Sequence, residues 1–407
     1  MRRIWFGAAA VAAAMTLASL TPAHAGIGLE GVPGYQHVGV LLLENESESS
    51  TWGASSVAKY LNSLVSAGAF ASDYYADGHV SLDNYITLSS GLPGNPNTYG
   101  DCLGISLNAC QQTITAQQTA ASAAASTNTM NVGDQVEGAG LTWKEYADGT
   151  SSPCFHEDLS STSSDPYQGD TNMAPGYNYA DRHNPFVYYT DITGNATRCN
   201  AVDVPFTQLS TDITNDSVPN FFFITPDTCH DGHDAPCANG SAMPAFCSTG
   251  AGGPAQSAAV GGLTAADCWL QANLPSLLQY LYAHDGVLFI TTDEGSANPP
   301  DTSGCCTGGQ GGQMGVGGKV GLLALGPGVK TNFTSTNNYD HVSLLRTVED
   351  ALGISTHINN AATATAMSDL FAQPSTSTPE TPLAIALPLL GVGLAAAFVR
   401  RRRTGAG

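Results

Sequence analysis

The chain has 407 residues, only 12% of them charged, with 13 Lys+Arg against 34 Asp+Glu and a formal net charge of −21. Arg2, Arg3 and Arg400 to Arg403 account for six of the basic residues, so the rest of the chain sets seven basic residues against 34 acidic ones. Such a surface repels nucleic-acid phosphates and lacks the basic patches their binding needs, which excludes nucleic acid as a partner.

The chain opens with Met1-Arg-Arg, an apolar run and Ala23-His-Ala25, so residues 1–25 read as a signal peptide, with the double arginine admitting a twin-arginine route. Residues 26–372 are long enough for one large domain. Its first predicted strand, Val38–Leu43, runs into Glu44-Asn45. A helix is predicted over Ser56–Ser66 and another over Asn84–Ser90, starting near Leu82. Ser81 then falls at an N-cap, where free amides and the helix dipole favour an alkoxide or a bound anion; an ordinary capping serine would look the same. The Ala/Ser/Thr/Gln-rich stretch Thr113 to Thr129 reads as a surface helix or loop, and strands are predicted at Leu141–Trp143 and Phe186–Tyr189.

The next strand, Asn220–Thr225, ends in Phe223-Ile-Thr-Pro-Asp-Thr-Cys-His-Asp-Gly-His-Asp234. His230, Asp231, His233 and Asp234 lie within five residues, a density suited to metal ligation or proton transfer. After a predicted helix at Thr264–Ala283, the unbroken apolar strand Gly286–Thr292 delivers Asp293 and Glu294 into a glycine turn. Two adjacent carboxylates at the end of a buried strand repel each other unless a cation or shared proton compensates. Paired with Glu44-Asn45, they predict one metal site built from two strand ends. Carboxylate and amide oxygens suit calcium, magnesium or manganese, with zinc less favoured unless histidine is a ligand. With so few arginines, a bound anion would be held mostly by metal, backbone and histidine.

The Gly-rich Ser303 to Gly318 reads as a long loop beside that site, followed by a strand at Val320–Leu325. His341 opens a predicted helix, Val342–Leu352, as a surface residue or a site ligand; His183 has the same standing. Residues 373–381 form a Pro/Ser/Thr-rich stalk, 382–399 a transmembrane helix and 400–407 a basic cytoplasmic tail. The expectation is an exported body anchored in the plasma membrane by its C-terminal helix, with the catalytic domain outside. Ten cysteines in an exported chain favour disulfides, Cys102 with Cys110 and Cys154 with Cys199, while adjacent Cys305 and Cys306 are expected to take different partners. Strands interleaved with helices indicate an α/β fold with a mostly parallel sheet.

Seven segments in order resemble the bacterial phosphoesterase family of acid phosphatases and phospholipase C-type enzymes, within the alkaline-phosphatase-like superfamily. They are the strand into Glu44-Asn45, Ser81 to Asn84 ending in Ser-Gly91, Thr142-Trp-Lys-Glu-Tyr146, His183-Asn-Pro-Phe186, Pro219-Asn-Phe-Phe-Phe-Ile-Thr-Pro226 with its Asp-Gly-His, Thr292-Asp-Glu-Gly295, and Asp340-His-Val-Ser-Leu-Leu-Arg-Thr-Val-Glu-Asp350. The resemblance implies an alkaline-phosphatase-like sandwich, a central mostly parallel β-sheet flanked by helices. It also implies a divalent metal held by Glu44, Asn45, Asp293 and Glu294, and a phosphoester hydrolase in which Ser81 forms a phosphoseryl intermediate. His79, Asn84, His230, Asp231, His233 and His341 join Ser81 as catalytic candidates, or as phosphate contacts or ligands of a second metal. The substrate would be a small phosphomonoester or a phospholipid. Glu46 stands where the family often has His, and Asp83 where it often has Pro. These departures leave one alternative, a surface binding or adhesion protein on a degenerate hydrolase fold. A sulfatase would need Cys/Ser-x-Pro/Ala-x-Arg, which is absent around Ser81.

Overall fold

The computed structural model describes residues 28–125, 131–150, 152–156, 179–233, 261–296, 299–306 and 316–372. The signal peptide, stalk, membrane helix and basic tail lie outside these residues, as do Asp234 and most of the Gly-rich loop. Among the described residues no helix is long and apolar enough to cross a membrane.

The apolar runs of the sequence become the middle of an eight-stranded sheet. Its strands are β1 (His37–Leu43), β2 (Ala69–Ala71), β4 (Trp143–Ala147), β5 (Asp203–Pro205), β6 (Phe221–Thr225), β7 (Gly286–Thr292), β8 (Leu322–Leu325) and β9 (Phe333–Ser335). They lie in the order β5-β4-β6-β1-β7-β8-β2-β9, and β8 alone runs against the others. The short strands β3 (Tyr74–Tyr75) and β10 (Tyr339–Asp340) pair separately. Strand β1 is apolar at nearly every position because both faces of a central parallel strand are covered. Val38, Val40 and Leu42 face one core, with the helices Ser81–Ser90 and His341–Ala351; Leu41 and Leu43 face the other, with Gly262–Ala283. Gly39 is required on β1, since a Cβ there would come within 2.2 Å of the Phe222 ring.

Several local expectations shift. Phe186–Tyr189 is not a strand: Pro185–Tyr188 is a 3-10 helix. Pro185 sits in its first turn, and the Asn184 side chain caps it by accepting from the Phe186 N–H. An apolar run this short does not separate a buried strand from a buried helix. Leu141–Trp143 moves to Trp143–Ala147, and the described part of the stretch expected at Thr113 to Thr129 belongs to a helix, Leu107–Ala125, whose Leu107, Cys110 and Ile114 are buried. Disulfides join Cys102 to Cys110 and Cys154 to Cys199. Cys305 and Cys306 pair with each other rather than with separate partners, on a turn where Cys306 is left-handed at φ 67°.

At one edge of the sheet, Glu145 on β4 and Asp203 on β5 are register partners, both buried. Thr225 Oγ1 donates to Glu145 Oε1 at 2.8 Å and Asn184 Nδ2 to Asp203 Oδ1 at 3.0 Å, while Glu145 Oε2 and Asp203 Oδ2 have no hydrogen-bond partner among the described residues. Burial pushes the Asp203 carboxyl up to about 7, and burial with Asp203 beside it pushes Glu145 well above its ordinary value. The native state therefore keeps protons that the unfolded chain releases near about pH 4, and stability falls as pH rises from there through the native value. In Asp203→Asn the decline in urea midpoint between about pH 5 and about pH 7 is shallower than in the parent chain. An unchanged slope contradicts this assignment.

Candidate active site

The site stands at the C-terminal ends of the central strands, where an open α/β sheet places its ligands. Strands β1 and β7 are in register with Leu43 beside Thr292, so Glu44 and Asp293 emerge as neighbours. The Asp293 N–H donates to Leu43 O at 2.8 Å. Asp293 Oδ1 accepts from the N–H of Asn45 at 3.0 Å and of Glu294 at 2.6 Å. Asn45, left-handed at φ 58°, thus enters through its backbone. Glu44 is fully buried; its Oε1 accepts from Ser81 Oγ at 2.9 Å and lies 2.9 Å from His183 Nε2 and 3.5 Å from Arg182 Nη2.

These groups carry opposing electrostatics. Burial alone would raise the Glu44 carboxyl, but His183 and Arg182 outweigh it and hold it well below its ordinary value. Burial followed by Glu294 and Glu44 drives Asp293 well above. Burial also lowers the His183 imidazole below its ordinary value, the direction that suits an imidazole to metal ligation. Glu44, His183 and Asp293 each bring one ligand atom to a common point, all within 4.8 Å of one another. Glu44 Oε2 and Asp293 Oδ2 are buried without a hydrogen-bond partner among the described residues. A divalent cation fits this donor set, and the imidazole brings manganese and zinc within its chemistry. The three differ from the four ligands expected from sequence. Glu294 instead directs Oε2 to His79 Nδ1 at 2.6 Å.

Ser81 is not the N-cap. The helix begins at Ser81 itself, Val80 precedes it without a side-chain cap, and the Ser81 hydroxyl turns to Glu44. Asn84, one turn on, is occupied by backbone: its Oδ1 accepts from the N–H of Asp77 and Gly78, and its Nδ2 donates to Gly78 O and Val80 O. Asn84 therefore shapes the turn that carries His79 and Ser81. Tyr85 stacks on His183, ring centroids 5.3 Å apart, tying that imidazole to the same helix. The helix stops at Gly91, left-handed at φ 67°.

The remaining histidines separate by environment. His341 is enclosed, its Nε2 donating to Asp293 O at 2.6 Å and its Nδ1 accepting from Tyr74 OH at 2.8 Å. Burial lowers its pKa to about 4, so it is a neutral brace rather than a proton carrier. His79 is likewise spanned between Glu294 and Asp301 O. His230 Nδ1 lies 2.8 Å from Asp148 and 3.0 Å from Asp227, whose charges outweigh burial and raise its pKa well above the ordinary value. Asp231 accepts the Glu44 N–H through its carbonyl and lies 3.6 Å from His183 Nδ1. His233 alone of the expected histidines keeps a partly open face; its Nδ1 lies 3.5 Å from Glu44 Oε2 and its side chain is 31% exposed. Sequence reasoning passed over Arg182 and left His183 undecided. The dipeptide Arg182-His183, one of few basic clusters in an acidic chain, was the available signal.

The family model of the Phosphoesterase family matches residues 42–246 and 260–355. The chain belongs to the Phosphoesterase family. It is a phosphoric ester hydrolase. Among curated relatives, phosphatidylinositol-3-phosphatase of Mycobacterium tuberculosis is 26% identical over 286 residues, 70% of this chain and 72% of the relative. An acid phosphatase of Aspergillus fumigatus is 28% identical over 171 residues, 42% of this chain but only 31% of the relative. Among solved structures, a protein of the alkaline phosphatase superfamily from Vibrio parahaemolyticus matches at 11% identity and a TM-score of 0.45, over 83% of this chain and 72% of that one.

Proposed function

We propose that this phosphoesterase is a metal-dependent phosphomonoesterase with Ser81 as its nucleophile. The observation that carries the reading is the Ser81 hydroxyl, buried and 2.9 Å from Glu44 Oε1 at the edge of the Glu44, His183 and Asp293 cluster. A divalent cation there would supply positive charge that favours the serine alkoxide and draws in phosphoryl oxygen. Ser81 Oγ attacks phosphorus as the bond to the leaving oxygen breaks, its proton passing to solvent, since the Glu44 carboxyl is held well below its ordinary value and stays ionised. His233, partly exposed and 3.5 Å from Glu44 Oε2, gives that oxygen its proton. Water then attacks the phosphoserine, freeing phosphate and restoring the hydroxyl. Arg182 offsets the charge that builds beside Glu44. The departure at Asp83 lends no support to a degenerate binding protein: this carboxylate is buried, accepts from Thr98 Oγ1 at 3.1 Å, and is raised by burial to about 7.

The relatives' names, both phosphatases, favour a monoester over a phospholipase C-type diester. Disulfides support an oxidising compartment, and the terminal segments read from sequence support an exported, membrane-anchored chain. The purified full chain is expected to turn over aryl phosphate faster than a bis-aryl diester, and membrane fractionation should recover it with the membranes. No turnover of either ester with magnesium, manganese, calcium or zinc would sink the proposal; preference for the diester would move it to the phospholipase C class.

A further inference from the structure

We propose that Asp101 is a positioning residue for the Ser81 hydroxyl, holding the first turn of the Ser81–Ser90 helix from outside it. The inference rests on Ser81 being the nucleophile. The first N–H groups of a helix have no partner within it, and Val80 offers no side-chain cap. Asp101 Oδ1 supplies the missing acceptor, 2.9 Å from the Leu82 N–H. A carboxylate at that end is also favoured by the helix dipole.

The segment that carries Asp101 is built against this turn. Thr98 Oγ1 donates to Asp83 Oδ1 at 3.1 Å, a second tie to the same turn. Gly94 has to be glycine for this packing, because a Cβ there would overlap the Asp83 carboxylate. The Asp101 N–H donates to Thr98 O at 3.0 Å and the Cys102 N–H to Asn97 O at 2.9 Å. Asp101 and Cys102 are both left-handed, at φ 52° and 55°, which turns the chain back so that the carboxylate meets the helix. The disulfide from Cys102 to Cys110 then fastens the segment to the Leu107–Ala125 helix. Ser81 directly precedes Leu82, so a shift of the held N–H moves Oγ away from Glu44. Small misplacements of a reacting group are expensive in rate.

The test compares kcat and KM of the full chain with Asp101→Ala, Asp101→Asn and Ser81→Ala on aryl phosphate at saturating metal. Asp101→Ala should lose about 10- to 100-fold in kcat with KM within about threefold. Asp101→Asn, whose amide oxygen still accepts from Leu82, should recover most of the loss. Asp101→Ala within about twofold of the parent, beside an inactive Ser81→Ala, overturns the positioning role and leaves the nucleophile in place. Equal losses in the Ala and Asn variants also overturn it, because charge rather than the hydrogen bond would then matter. An active Ser81→Ala removes the underlying reading, whatever Asp101 does. If Asp101→Ala does not fold, the double change Cys102→Ala and Cys110→Ala loosens the segment without touching the carboxylate. It should lower kcat at constant KM, and an unchanged kcat overturns the proposal.

Discussion

Ser81→Ala should lower kcat/KM for aryl phosphate by at least about 1,000-fold while the protein stays folded. The hydroxyl serves no structural end that alanine would abandon. It caps no helix, and among the described residues its one hydrogen bond goes to a carboxylate oxygen that also faces His183 and Arg182. Losing a hydrogen bond to a charged group costs about 1.5–3 kcal/mol, too little to unfold a domain of this size. Circular dichroism and the thermal midpoint check folding, and rapid quenching of the parent enzyme with mass spectrometry looks for phosphate on Ser81. A variant that keeps its turnover would remove Ser81 from the chemistry altogether.

Chelation should abolish activity and lower the thermal midpoint together, with both restored by added divalent metal. The reason is electrostatic. Glu44, Asp293 and Glu294 crowd one buried region, and burial with its carboxylate neighbours already drives Asp293 far above its ordinary value. A cation relieves that repulsion and binds Glu44 Oε2 and Asp293 Oδ2, which have no hydrogen-bond partner among the described residues. Bound only by the native state and present at 100 times its Kd, the metal would add about 2.7 kcal/mol of stability. Elemental analysis of the purified chain and of Asp293→Asn separates this from an unrelated effect of the chelator. The parent should hold metal and the variant little. Stoichiometric metal retained in Asp293→Asn would place the ion elsewhere.

Much of this architecture was legible from short patterns. The runs ending at Leu43, Thr225 and Thr292 are strands as expected, because a strand covered on both faces must be apolar at nearly every position. The carboxylates beyond β1 and β7 were visible as polar groups stranded at the ends of buried segments. Phe186–Tyr189 misled for the same reason in reverse, since an apolar run says buried but not which backbone is buried. The roles of Asn45 and Asn84 were illegible, because both act through hydrogen bonds to backbone that sequence does not display.

The sequence by itself determined the α/β class, the pairing of two acidic strand ends and the serine beside a helix start, all set by local periodicity and turn chemistry. Only the tertiary structure decided that His183 rather than Glu294 closes on Glu44 and Asp293, that His341 is a brace, and that Asp101 caps the helix of Ser81. Those side chains arrive from loops whose paths follow from packing over the whole sheet. Contacts between residues far apart in the chain are fixed by that packing, and no local pattern encodes them.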